Sequence, residues 1–249
     1  MRKLPPPASA QIHVRLLNEP PANYTGRGRQ TRFGKRLLTC RAGVRTAAGP
    51  LERPGACAVM EAMSQWTILT QAPAPVETVP AREHPELLAA PTAEALAAFP
   101  ADHPVDVFAI DPDLADTAAL TEAYGLKDKH SANCVIVAGS RAGDERIAAC
   151  MVLAHTRADV NKRVRKLLDV RKASFMDQER ACAESGMEYG GIGPFGLPAG
   201  YRILIDSRIV TEPEVVIGSG IRGSKIILSG ETLAAIPGAE VVEDLAIEV

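Results

Sequence analysis

The densest chemical signal in the chain is a glycine-rich run from Gly186 to Gly200, which holds six of the twenty glycines in fifteen residues. Glycine lets the main chain approach a ligand closely, while Pro194 and Pro198 limit the freedom of the loop. Backbone N–H groups held in that way can form an oxyanion hole for acyl transfer. Composition alone equally allows a long connecting loop. The run is not a phosphate loop, because it lacks a GK[ST] ending and follows a helical rather than an extended pattern. A second cluster, Gly218-Ser219-Gly220-Ile221-Arg222-Gly223, reads either as a hairpin turn or as the rim of a pocket, where Arg222 is available to a phosphate or carboxylate.

Other constellations are missing from the sequence. It contains no GxSxG elbow, no HExxH and no HxE…CxxC signature, and its five cysteines have no CxxC or CxxH spacing. No metal site and no cofactor are expected. An odd, dispersed set of cysteines implies free thiols and a reducing, cytoplasmic compartment. Cys134 and Cys150 fall within apolar runs and read as core residues rather than nucleophiles. His155 has no evident partner. No residue of the glycine-rich regions is an obvious titrating catalyst, which implies a hydroxide-driven pH profile for any hydrolysis.

Charge divides the chain. Residues 1–59 carry eleven basic and two acidic residues, net +9, whereas residues 60–249 carry seventeen and twenty-eight, net −11. The first segment is rich in Pro, Gly and Arg and has too little apolar sequence to offset its ordering entropy. It reads as a disordered extension, as an arm for nucleic-acid phosphates, or as sequence upstream of a start at Met60 or Met63. Residues 60–249 are expected to form one domain with its core at about 82–245. The only dense basic cluster in that domain is Lys162, Arg163, Arg165 and Lys166. It lies opposite the apolar positions Val160, Val164, Leu167 and Leu168 of a helix capped by Asp159, and is either a solvated face or a track for a nucleic-acid backbone.

Elements that could position these residues follow from periodicity and punctuation. Helices are expected over residues 92–99, 114–124, 159–169, 177–185 and 231–236, two of them closed by Gly125 and Gly186. Strands are expected at 105–110, 134–138, 147–154, 201–205, 215–217 and 225–228, with a hairpin across the turn 140–146. Hairpins mixed with helical crossovers imply an α/β fold of the α+β type, a mixed and mainly antiparallel sheet with flanking helices. No run is long and apolar enough to span a membrane.

Taken in order, several blocks between Ser131 and Val242 resemble the YbaK/ProX family, free-standing editing domains related to the insertion domain of bacterial prolyl-tRNA synthetase. They are the strand through Asn133 and Cys134, the helix at 158–169 followed by Val170-Arg171-Lys172-Ala173, the GIGPFG loop at 191–196, the strand ending in Asp206, and VIGSGIRG at 216–223. The resemblance implies a sheet curled into a partial barrel. It also implies metal-free hydrolysis of the ester joining a wrong amino acid, of cysteine, alanine or proline type, to the 3′ end of tRNA. Gly191, Gly193, Pro194, Phe195 and Gly196 would then grip the ester, and a ribose hydroxyl would help to position the water. Gly218, Ser219, Gly220 and Arg222 would surround the pocket. From its charge alone, the helix face with Lys162, Arg163 and Lys166 is where RNA should bind if it binds this domain. The family commonly has a lysine where this chain has Asn133, with Lys127 and Lys129 nearby. Partners so implied are the aminoacyl-tRNA 3′ end and, as a further candidate, an aminoacyl-tRNA synthetase, with no membrane and the oligomeric state left open. A module that binds aminoacyl-tRNA or a synthetase without chemistry stands as the alternative.

Overall fold

The computed structural model describes residues 66–249, so the readings of segment 1–59 and of Met60 and Met63 fall outside the described residues. The apolar runs become strands, in chain order β1 (Val79–Pro80), β2 (Val105–Ala109), β3 (Ala132–Arg141), β4 (Asp144–Leu153), β5 (Thr156–Ala158), β6 (Ala173–Phe175), β7 (Tyr201–Asp206), β8 (Val215–Gly218), β9 (Ser224–Leu228), β10 (Ala239–Val242) and β11 (Ala246–Glu248). The helices are α1 (Ala90–Ala98), α2 (Thr117–Tyr124), α3 (Arg165–Leu167), α4 (Gln178–Ser185), α5 (Ser207–Val210) and α6 (Gly230–Ala234).

A four-stranded sheet, β1-β2-β9-β8, is antiparallel throughout. A five-stranded sheet, β10-β7-β4-β3-β6, is mixed: β7 runs parallel to both β10 and β4, while β3 is antiparallel to β4 and β6. A ribbon pairs β11 with β5. The mixed α/β character and the antiparallel majority are as expected. The single curled sheet is not what forms, for the strands divide into two main sheets and a ribbon, and no barrel closes. The two main sheets touch at one parallel bridge, Ser131 to Val216. Beyond that bridge β3 makes its ten-residue ladder with β4, and β8 makes no further ladder with it.

Local chemistry accounts for the boundaries. The β3–β4 turn is Ala142-Gly143, both at positive φ (54° and 93°), and is tighter than the expected loop at 140–146. That conformation matches the twist of the flanking strands. α2 is capped by Asp116, which accepts from the Ala118 N–H, and ends at Gly125 in the left-handed region. α4 is capped by Asp177 and closed by Gly186 in the same way. α1 begins earlier than Thr92, since Pro91 occupies the first turn, where its missing N–H has no helical acceptor to lose. The helix expected at 159–169 is a π-helical turn, Val160–Val164, continued by α3 and capped by Asp159 through the Lys162 N–H at 3.1 Å.

The core also extends upstream of residue 82. Trp66, Ile68 and Leu69 bury themselves against Phe108, Leu120, Leu126 and Val216, and the Trp66 indole N–H donates to Asp106 at 2.7 Å. Among the described residues no helix is long and apolar enough to cross a membrane.

Candidate active site

Where the two sheets meet, a cavity of about 540 Å³ opens between the head of β3, the end of β8, the N-terminus of α2 and the glycine-rich loop. This volume suits a small organic group rather than a polymer. β3 contributes Ala132 to Val135, α2 contributes Thr117 and Ala118 with the cap Asp116, and the β8–β9 hairpin contributes Gly218, Arg222 and Lys225.

Asn133 lies in this wall. The Thr117 hydroxyl donates to its side-chain carbonyl at 2.6 Å, which leaves the amide N–H groups as the donors Asn133 can offer. Arg222 reaches the rim. Its guanidinium donates to the carbonyls of Tyr189 (3.1 Å) and Pro112 (2.8 Å), while its backbone N–H donates to the Glu188 carboxylate at 2.7 Å.

The two glycine clusters lie back to back. Gly220 N–H donates to Gly191 carbonyl at 2.7 Å, and Glu188 N–H to Gly220 carbonyl at 2.8 Å. A Cβ on Gly191 would collide with Ile221, and Cβ atoms on Gly193 and Gly218 would each collide with the opposite main chain. Glycine is needed here for backbone-to-backbone approach. The N–H groups of Gly191 and Gly193 are engaged within the loop, by the Glu188 carbonyl at 2.9 Å and the Met187 sulfur at 3.4 Å. Pro194 is buried, and Phe195 is a core residue whose ring meets Phe99 edge-on at 5.3 Å. Gly196, at φ +80°, packs on the Pro91 carbonyl at the start of α1. Ser219 is fully buried, its hydroxyl donating to the Ser224 carbonyl at 2.9 Å. Of the residues singled out from sequence, the structure therefore brings Asn133, Gly218 and Arg222 to the cavity wall. It places Gly191, Gly193, Pro194, Phe195, Gly196, Ser219 and Gly220 in the layer that supports that wall.

Lys162, Arg163 and Lys166 do not line the cavity; Lys162 and Lys166 are exposed, and Arg163 donates to the Glu243 carbonyl at 3.0 Å. Lys127 and Lys129 do not line it either, and Lys129 pairs with Glu212 at 2.9 Å. Cys134 does face it, but burial pushes its thiol well above the usual range, so it offers no thiolate near neutral pH. No histidine is among the lining residues, and among the described residues no cluster of three or more His, Cys, Asp or Glu could hold a metal.

Sequence reasoning missed Lys225, which is only 5% exposed and donates to the carbonyls of Ala115 (2.8 Å) and Gly190 (2.9 Å). Burial, and then the charge of Arg222, lower its pKa from 10.5 to about 8, with Asp116 acting in the other direction. The signal was present: a lysine opens the otherwise apolar run Ile226-Ile227-Leu228, two residues after the second glycine cluster.

Two open sheets that meet at a small cavity lined with cationic and amide donors define an α/β domain with a pocket the size of a small organic group. Residues 111–236, half of the chain, match the aminoacyl-tRNA editing domain family, and the chain belongs to that family. Among solved structures, it is similar to that of a proposed trans-editing enzyme for prolyl tRNA synthetase, with a TM-score of 0.53 and 18% identity over 62% of this chain and 94% of that one. The crystal structure of hypothetical protein APE2540 is similar with a TM-score of 0.51 and 18% identity, covering 57% of this chain and 90% of that one. At this identity the likeness is one of fold.

Proposed function

We propose that the protein is an aminoacyl-tRNA deacylase that acts in trans on tRNA carrying the wrong amino acid. The observation that carries this reading is the cavity itself, placed inside the family-matching region and walled by the Asn133 amide, Arg222 and Lys225. Its size suits an amino acid esterified to one ribose, and amino acids of cysteine, alanine or proline type are the proposed cargo. The bridge between Ser131 and Val216 brings the two sheets together at the edge of this cavity, which both residues line.

In the reaction, the oxygen of a water molecule bonds to the ester carbonyl carbon and the bond from that carbon to the ribose oxygen breaks. The ribose oxygen takes a proton and leaves as a hydroxyl, and the amino acid leaves as a carboxylic acid. Positioning and charge stabilisation suffice for an activated ester, so a triad is not needed. The Asn133 amide is assigned to a ribose or phosphate oxygen and Arg222 to the phosphate entering at the rim. A synthetase is a further candidate partner, by analogy with the related structure. Residues 60–249 are the working domain, and deletion of 1–59 is expected to leave hydrolysis unchanged.

The test is release of labelled amino acid from tRNAs charged with cysteine, alanine, serine and proline. Release above the spontaneous rate, lost in Asn133→Ala, is the expected result. No release from any of them by folded protein overturns the proposal and leaves a binding module.

A further inference from the structure

Every residue of β9 is buried, yet the strand carries a lysine. An ammonium has three donors. Lys225 uses two, on the carbonyls of Ala115 and Gly190, and both of those residues line the cavity. Its Nζ therefore lies in the cavity wall with one donor remaining. Both acceptors are neutral carbonyls, and the negative charge acting on Lys225 is that of Asp116, which lines the same cavity and only partly offsets burial and the charge of Arg222. Ser131 lines the same cavity, with its hydroxyl enclosed and without a protein partner. A wall that holds an ammonium with a donor to spare suits an oxygen acceptor small enough to enter. Of the glycine-loop donors, the Gly191 N–H is taken by the Glu188 carbonyl and the Gly193 N–H faces the Met187 sulfur.

We infer that Lys225 is the oxyanion donor of this cavity, its third N–H meeting the carbonyl oxygen of the aminoacyl ester. This rests on the reading of the cavity as an aminoacyl-ribose site. When water adds to the carbonyl carbon, the π electron pair moves onto the oxygen facing Lys225. It returns as the bond to the ribose oxygen breaks, and Lys225 keeps its protons throughout. Only the charged amine provides this field. The titratable and charged groups around it are Arg222 and Asp116, with Asp128, Cys134 and Tyr189 also in the cavity lining. The hydroxide-driven rise of the rate should therefore bend over near pH 8, where the ammonium loses its proton.

The experiment uses the full chain and two stable probes, alanyl- and prolyl-adenosine in which an amide replaces the ester but the carbonyl oxygen is kept. Affinity is measured on both sides of pH 8 for the wild type, Lys225→Met and Lys225→Arg, with folding checked by thermal unfolding. Wild-type affinity is expected to fall by up to ~tenfold per pH unit above the Lys225 midpoint. Lys225→Met should bind ~tenfold or more weakly below it and keep only the pH dependence that comes from the probe's own α-amino group. Lys225→Arg keeps its charge and should show the same residual dependence. A lysine that merely ties the Ala115 and Gly190 segments together would alter stability and leave wild type and Lys225→Met with the same pH dependence. Flat wild-type affinity, or Lys225→Met binding like wild type, overturns the inference, and if charged tRNA is still hydrolysed the deacylase reading survives. The expected pattern without hydrolysis of any charged tRNA keeps Lys225 as the carbonyl donor and sinks the deacylase. No binding of either probe by folded wild type overturns the inference outright.

Discussion

Thr117 donates its hydroxyl to the side-chain carbonyl of Asn133 at 2.6 Å, tying the first residue of α2 to the head of β3. The bond decides which end of the amide faces the cavity. With its oxygen held by Thr117, Asn133 presents N–H donors to whatever enters, as a cation would, but without a charge of its own. The charge of the inner wall comes from Lys225 on another sheet strand.

Loss of that tie should be milder than loss of the amide. Asn133→Ala is expected to abolish deacylation, and Thr117→Val to lower kcat/KM by ~three- to tenfold while the protein stays folded, since a single positioning bond is removed. Steady-state rates on one charged tRNA, with unfolding curves alongside, check this.

The contact between the glycine clusters is a matter of stability as well as shape. Gly193→Ala would drive a methyl group into the Gly218 carbonyl and should destabilise the fold by ~2 kcal/mol. Gly200→Ala, where nothing lies within 4 Å, should stay within ~0.5 kcal/mol of wild type. Denaturant midpoints of the two variants decide it.

Asp206, 1% exposed, accepts from the Arg208 side chain at 2.8 and 2.9 Å and from the backbone N–H groups of Arg208 and Ala246. Burial alone would raise its pKa, but these bonds and the Arg208 charge outweigh burial and hold the carboxyl below its ordinary 3.8. A lowered carboxylate contributes stability that is fully present above pH 3.8 and is lost as pH falls through the folded-state value. Asp206→Ala should cost ~3 kcal/mol near neutrality, and the difference from wild type should shrink in acid. Urea unfolding at neutral and acid pH measures both.

Distance from the cavity separates the basic helix from the chemistry. Lys162→Ala, Arg163→Ala and Lys166→Ala combined should leave cleavage of a minimal aminoacyl-adenosine ester unchanged. The same variant should raise KM for aminoacyl-tRNA on the order of tenfold and flatten its salt dependence, as expected when phosphate contacts are removed. Equal effects on both substrates would place this face in the fold rather than on the tRNA.

Much of the fold was legible because it is written in short-range chemistry. Asp116 and Gly125 bracket α2, Asp177 and Gly186 bracket α4, and the apolar runs of β3, β4, β7, β8 and β9 fall where the sequence places strands. Trp66, Ile68 and Leu69 were harder to see, because a short 3-10 turn has no apolar period and its burial depends on Phe108 and Val216, far along the chain. The π-helical turn at Val160–Val164 was hidden for a related reason, since its buried positions fit an ordinary helix equally well.

By itself, the sequence determined the order of the elements, their caps and the close approach that the glycines permit, because each depends on neighbours a few residues apart. It also carried the family resemblance, whose Gly218 and Arg222 line the cavity, and the departure from the family's lysine at Asn133, which lines it too. Only the tertiary structure decided that the glycine loop uses its Gly191 and Gly193 donors internally, and that Lys225 on β9 stands in one cavity with Asn133 on β3. The reason is physical. A buried charge is recognised by what surrounds it, and the carbonyls that hold Lys225 come from residues 110 and 35 positions away.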